Sequence, residues 1–248
     1  MQTHAYSRPW RSPFHPANRM RPLVALRAVR ALLEDPQSTG EVFKVIEALK
    51  GGSLRQAVMR MASSEAGRSL LHAKPSIIAS LSDRTSLAAM PEGSLGRAYL
   101  DFVLAGNLSA DGLVQASEEA PRDAATSYLD PEELWLADRL RDFHDIQHVL
   151  TGYGRDELGE LCLLSFMTTQ TYNRGISFIV FMGRREYRRG MPQIDVDALV
   201  NEGRDIARAA AWLPEVRWEE RLGEPLAALR EELGLRPPLR YLAASGAA

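Results

Sequence analysis

The 248-residue chain has one cysteine, Cys162, and five histidines, at positions 4, 15, 72, 144 and 148. A single thiol cannot build an intrachain disulfide framework, and it excludes zinc ribbons and cysteine-rich fingers as well. Any metal site must draw on carboxylates and on very few imidazoles. Lysine is also scarce: of 30 basic residues only Lys44, Lys50 and Lys74 are lysines, the rest being arginine. That bias fits either a GC-rich coding sequence or a preference for phosphate and carboxylate partners. The formal net charge of −2 gives no whole-molecule footprint for nucleic acid. No apolar run reaches the ~18 to 20 residues that span a bilayer. The longest, Leu161–Met167 and Ile176–Met182, are each interrupted by a serine.

Acidic residues are missing from the first 33 positions, which carry Arg8, Arg11, Arg19, Arg21, Arg27 and Arg30. Organelle-targeting segments have this character. However, Pro9, Pro13, Pro16 and Pro22 spoil an amphipathic helix, so the segment reads as a flexible basic arm over residues 1–22. The remainder has ordinary globular composition, 45% hydrophobic and 25% charged, with enough apolar residues for a substantial core.

From Leu23 onward the pattern is helix after helix. Val24–Leu33 has apolar residues at helical spacing. Thr39 can cap a helix over 40–50, closed by Gly51-Gly52, and Ser53 can cap the next. Ser94 precedes Leu95–Ala105, with Gly106 as a stop. Asp130-Pro131-Glu132-Glu133 is a helix start with a capping box, predicting a helix from Pro131 to about Leu150. Thr151-Gly152-Tyr153-Gly154 breaks it, and Asp156 and Glu157 open another helix. Leu226, Leu229 and Leu233 form a stripe ended by Gly234 and Pro237-Pro238. Ile176–Met182 suits either a strand or a buried helix. The expected fold is all-α: one helical domain over 23–242 with a metal-binding helix hairpin, and a flexible tail over 243–248.

The chemistry concentrates in Arg139–Glu160. His144 and His148 stand at i, i+4 on one helical face, with Asp145 beside them. If the chain reverses after the glycine-rich turn, Glu160 returns towards His148. Two imidazoles and two carboxylates would suit zinc, and equally iron or another divalent metal. The array differs from the His-Glu-x-x-His protease box, since the shorter Asp145 is better placed as a ligand than as a base. A histidine pair at this spacing also occurs on helices that bind nothing. Arg141, three residues before His144, would meet a substrate carboxylate or orient a metal-binding one; alternatively it pairs with Asp138 or Asp142. Phe178 and Phe181 lie just before Arg184 and Arg185, and Arg188 and Arg189 follow. Together they would suit an interfacial anchor on anionic lipid, or a core helix ending in a solvated basic turn. Cys162 turns away from the metal face and should be core.

The motif His144-Asp145-x-x-His148-x(11)-Glu160 resembles the zinc motif of the Coq-four family of ubiquinone (coenzyme Q) biosynthesis. Arg139 and Arg141 are similar to that family's Arg-x-Arg approach to the motif. Pro91-Glu92-Gly93-Ser94-Leu95-Gly96-Arg97 resembles another of its segments, as does Gly159-Glu160. So does the ending Trp218-Glu219, Pro225-Leu226, Leu229-Arg230, Leu233-Gly234 and Pro237-Pro238. The stretch after Gln170-Thr171 departs from the family's Gly-Leu-Pro type segment. The resemblance implies a helical, zinc-binding, membrane-associated protein, often a homodimer. It implies removal of the C1 carboxylate of a polyprenylated 4-hydroxybenzoate, with hydroxylation of that carbon, or a non-catalytic lipid-binding scaffold for other ubiquinone-biosynthesis proteins. The implied location is peripheral on the bacterial inner membrane, facing the cytoplasm, or on the matrix side of the mitochondrial inner membrane in a eukaryote.

Overall fold

The computed structural model describes residues 15–34, 38–106 and 128–246. Among these the secondary structure is helical, with one isolated backbone bridge, Ser94 to Pro225, and no strand. The fold is a single all-α domain. The α-helices are α1 Pro22–Glu34, α2 Thr39–Leu49, α3 Ser53–Ala62, α4 Glu65–Ala73, α5 Ile77–Ser82, α6 Arg84–Ala89 and α7 Leu95–Ala105. After residues 107–127 follow α8 Pro131–Asp142, α9 His144–Thr151, α10 Glu157–Thr171, α11 Arg174–Gly190 and α12 Val196–Ala209. The chain closes with α13 Trp218–Arg221, α14 Leu226–Glu232 and α15 Leu239–Ser245. No helix among the described residues is long and apolar enough to cross a membrane.

Helix α10 is apolar on nearly all sides, and Leu158, Leu161, Cys162, Leu163, Phe166 and Met167 are all buried. A helix with that pattern belongs in the middle of a core. Its main neighbour is α12, and Gly203 allows the close approach: a Cβ there would lie 2.8 Å from the Cys162 carbonyl oxygen. The run Ile176–Met182 is the first half of α11, not a strand. Ile179 packs with Ala25, Ala28 and Val29 of α1 and Val45 and Ala48 of α2, forming an outer layer.

The predicted helix from Pro131 to Leu150 is two helices, broken at Phe143. Phe143 leaves helical geometry, is 1% exposed, and stacks its ring on Trp218 at 6.5 Å between centroids. Burying that ring, not a breaker residue, sets the jog. The expected arm over 1–22 is also shorter than anticipated. Ala17 is 1% exposed and the Arg21 amide donates to the Ala48 carbonyl at 2.7 Å, so residues 15–22 pack on the domain. Residues 1–14 of that arm lie outside the described part. At the other end, α15 carries helix three residues past the boundary expected at 242, anchored by buried Tyr241.

Two long-range ties hold the C-terminal segment. The first joins Gly93–Gly96 to residues 222–226, with Leu95 N to Glu224 O at 2.9 Å, Gly96 N to Leu222 O at 2.7 Å and Leu226 N to Gly93 O at 2.9 Å. The second is Arg139, 2% exposed, which pairs in a two-point contact with Glu219 and donates to the Val216 carbonyl at 2.7 Å and the Pro214 carbonyl at 3.3 Å. Removing one partner of such a buried pair leaves the other charge uncompensated. Arg139→Ala should therefore cost about 3 kcal/mol of stability in chemical denaturation. Arg97→Ala, which breaks an exposed pair with Asp101, should cost under about 0.5 kcal/mol. Equal effects would show that the buried tie does not carry this weight.

Candidate metal centre

The site is built where α9 ends and α10 begins. Gly152 closes α9 in the left-handed conformation, φ +82°, and Asp156 caps α10 by accepting from the Gly159 amide at 3.0 Å. This turn brings Glu160 back to both histidines. Its carboxylate lies 3.2 Å from His148 Nε2 and 3.7 Å from His144 Nε2. One ligand atom from each of His144, Asp145 and His148 falls within a 4.8 Å cluster. Asp145 approaches from the other side of its neighbour, 3.3 Å from His144 Nδ1. The four sequence-predicted residues are thus brought together, with Glu160 facing both Nε2 atoms and Asp145 beside His144 Nδ1. In that arrangement Asp145 orients the His144 ring.

His148 is the deepest of the four, 2% exposed. Its Nδ1 lies 3.0 Å from the Tyr153 carbonyl oxygen. A carbonyl can only accept, so Nδ1 carries the proton. On the other side Nε2 faces the Glu160 carboxylate at 3.2 Å, where a ring protonated at Nδ1 alone would offer its lone pair to an ion held between them. The Phe102 ring stacks on His148 at 5.3 Å.

The surrounding supports come from distant parts of the chain. Tyr241 of α15 accepts from the Gly154 amide at 2.9 Å and donates to the Asp156 carboxylate, and its ring packs edge-on against Tyr153. Arg230 of α14 donates to the carbonyls of Val149 at 2.8 Å and Leu150 at 3.0 Å, a cation at the negative end of α9. Residue pattern alone did not single out Tyr153, Tyr241, Phe102, Arg155 or Arg230 for this site. The one available signal was that Arg230 falls in the Leu229-Arg230 match near the C-terminus.

Arg141 is committed elsewhere. It pairs with Asp142 at 2.7 Å and Asp138 at 3.1 Å, the ion-pair alternative to a substrate role. Cys162 is buried in the main core. On α11, Phe178 packs against the outer layer, whereas Phe181 is 56% exposed. Arg184 and Arg188 both grip Asp197, and Arg185 is exposed. Arg174, Ser177, Phe181, Arg185 and Arg188 make one solvent-facing stripe, so a single apolar side chain stands among the arginines.

Electrostatics bind the cluster without any metal. Burial opposes charge on His144, but Glu160 and Asp145 together outweigh it and hold the imidazole pKa above its usual value. Burial likewise opposes charge on Glu160, yet His144, His148 and Arg155 pull its pKa down to about 2. The signs follow. The raised His144 pKa gives stability that is complete below its unfolded value and lost as pH rises through the folded one. The depressed Glu160 pKa gives stability present above its unfolded value and lost as pH falls towards about 2. In metal-free protein, NMR should place the His144 titration midpoint above the 6.5 of a free imidazole. In Glu160→Gln it should fall, because burial then acts with less opposing charge. An unchanged midpoint would break the assignment.

Comparison with known proteins agrees with this picture. The family model described as coenzyme Q (ubiquinone) biosynthesis protein Coq4 matches residues 11–238. The rat mitochondrial ubiquinone biosynthesis protein COQ4 homolog is 32% identical over 184 residues, covering 74% of this chain and 66% of the rat protein. The bovine counterpart, also named mitochondrial, is 30% identical over 220 residues, 88% of this chain and 79% of that protein. The match thus spans just under two thirds of the rat protein's length. The crystal structure of a Nostoc punctiforme protein named for ubiquinone biosynthesis superposes with a TM-score of 0.63 at 21% identity. It covers 88% of this chain and 99% of that one, a likeness of fold.

Proposed function

Since this chain belongs to the coenzyme Q (ubiquinone) biosynthesis protein Coq4 family and has a role in that pathway, we propose that it is a metal-dependent decarboxylase acting on a polyprenylated 4-hydroxybenzoate. The reading is carried by the convergence of His144, His148 and Glu160, with Asp145 behind His144, in one partly buried cluster. The residues fit a divalent ion: the Tyr153 carbonyl takes the Nδ1 proton of His148 and so would free Nε2 for the ion, and Glu160 stays ionised. His144, His148 and Glu160 would hold it, joined by Asp145 directly or through the His144 ring. Zinc suits this nitrogen and oxygen set, and so does iron. When bound, such an ion supplies Lewis-acid stabilisation of negative charge on a substrate oxygen.

The chain's own residues do the rest. Tyr153 fixes the His148 tautomer through its carbonyl. Tyr241 and Arg230 hold the turn and the end of α9, so the imidazoles keep their aim. In the reaction the bond from ring C1 to the carboxylate breaks and CO2 leaves. C1 then takes a proton in a simple decarboxylation; in an oxidative one it takes one oxygen atom of dioxygen as hydroxyl, the other leaving as water with two electrons from an added reductant. The prenyl tail requires a lipid surface. The exposed pair Phe181 and Arg185, one turn apart on α11, supports peripheral docking on an anionic membrane. The relatives are named mitochondrial, which supports the organelle alternative of the expected location. Homodimer formation and contact with other ubiquinone-biosynthesis proteins belong to the same proposal.

The test uses purified protein loaded with zinc or iron, with a carboxyl-labelled 3-prenyl-4-hydroxybenzoate, with and without dioxygen. Labelled CO2 should appear only with metal, and the dioxygen arms distinguish the two fates of C1. His148→Ala should lose bound metal and CO2 release while keeping its helical circular dichroism. Release without metal would overturn the proposal, as would a fully active His148→Ala. If that variant unfolds, the site is a structural staple.

A further inference from the structure

Arg155 lies on the turn between α9 and α10 and is exposed. Its guanidinium carbon sits 5.5 Å from the centroid of the Phe102 ring, the same ring that stacks on His148. This contact places the group beside the metal-fitting cluster, within electrostatic reach of Glu160.

Three other arginines near the site are engaged. Arg139 is locked on Glu219, Arg141 on Asp138 and Asp142, and Arg230 on two backbone carbonyls. Arg155 enters no ion pair among the described residues, and its recorded partner is an aromatic face. A stacked guanidinium keeps its planar edge of N–H donors available for a two-point contact with a carboxylate. Being exposed, it bears no cost of burial.

We propose that Arg155, over the Phe102 ring, receives the carboxylate of an aromatic acid beside the His144–His148–Glu160 cluster. This rests on the decarboxylase reading and replaces Arg141 in the substrate-binding role. It makes Arg155 a binding and specificity residue that selects acids over uncharged analogues. The competing role, in which Arg155 only keeps Glu160 ionised, predicts no such selection.

The probes are 3-geranyl-4-hydroxybenzoate and its primary amide, bound to full-length protein and followed by calorimetry with metal content measured in parallel. In Arg155→Ala the acid should bind about tenfold more weakly while the amide changes by less than about twofold, as expected when a charge-assisted contact is removed. Arg155→Lys should fall between, and Arg141→Ala should bind the acid as the unaltered protein does. Metal content of Arg155→Ala should match the unaltered protein. The proposal is overturned if the unaltered protein does not bind the acid, if Arg155→Ala binds it unchanged, or if acid and amide weaken alike. If the unaltered protein takes up no metal yet acid binding still requires Arg155, the metal reading fails and the carboxylate contact stands.

Discussion

The contact between His148 Nδ1 and the Tyr153 carbonyl decides what the centre of this molecule can do. A buried imidazole has two nitrogens and, when neutral, one proton to place. Giving that proton to a backbone acceptor at 3.0 Å would free Nε2, 3.2 Å from Glu160, to serve as a ligand to an ion between them. The acceptor lies in a turn whose course depends on Gly152 in the left-handed region and on Tyr241 bridging the Gly154 amide and the Asp156 carboxylate. Through Tyr241 the last helix sets the protonation state of a histidine some ninety positions earlier in the chain. That gives a physical reason for the C-terminal segment to be part of the domain and not an appendage.

The arginine excess has an answer of the same kind. Arg139 stitches α8 to the segment around Trp218, Arg221 spans Glu224 and Glu232, Arg230 closes α9, and Arg184 and Arg188 share Asp197. Each uses several N–H donors of one guanidinium at once, which a lysine cannot reproduce. Much of the bias that looked compositional is employed in long-range ties. Arg155, beside the metal-fitting cluster, and Arg185, on α11, are exposed and stand out by their surroundings and not by their abundance.

Local signals in the sequence translated directly into structure. Ser94 accepts from the Arg97 amide, Asp156 from that of Gly159, and Glu133 from that of Asp130, each a bond within three residues. The i, i+4 histidines and the returning Glu160 were legible for the same reason: spacing on helices joined by a short turn leaves few arrangements. Features decided by distant residues were not legible. The break at Phe143 exists because its ring stacks on Trp218, 75 positions away, and no glycine or proline marks it. Residues 15–22 looked like a free arm because nothing local shows that Ala17 and Arg21 meet the rest of the domain. Ile176–Met182 was ambiguous because a run buried on most sides loses the periodicity that separates helix from strand.

Charge counting links the cluster to the arginine beside it. An ion held by neutral His144 and His148 would offset the two negative charges of Asp145 and Glu160 and leave Arg155, over the Phe102 ring, as the positive charge beside them. One carboxylate arriving from solution would then restore neutrality; a neutral ring would leave the guanidinium unanswered, and a dianion would overshoot. Without the ion, Glu160 and Asp145 raise the His144 pKa against the cost of burial, so attraction within the cluster offsets part of what the ion would offset. On the proposed reading the guanidinium supplies the direct contact with an aromatic acid, and the ion would remove the negative charge that opposes the acid's approach.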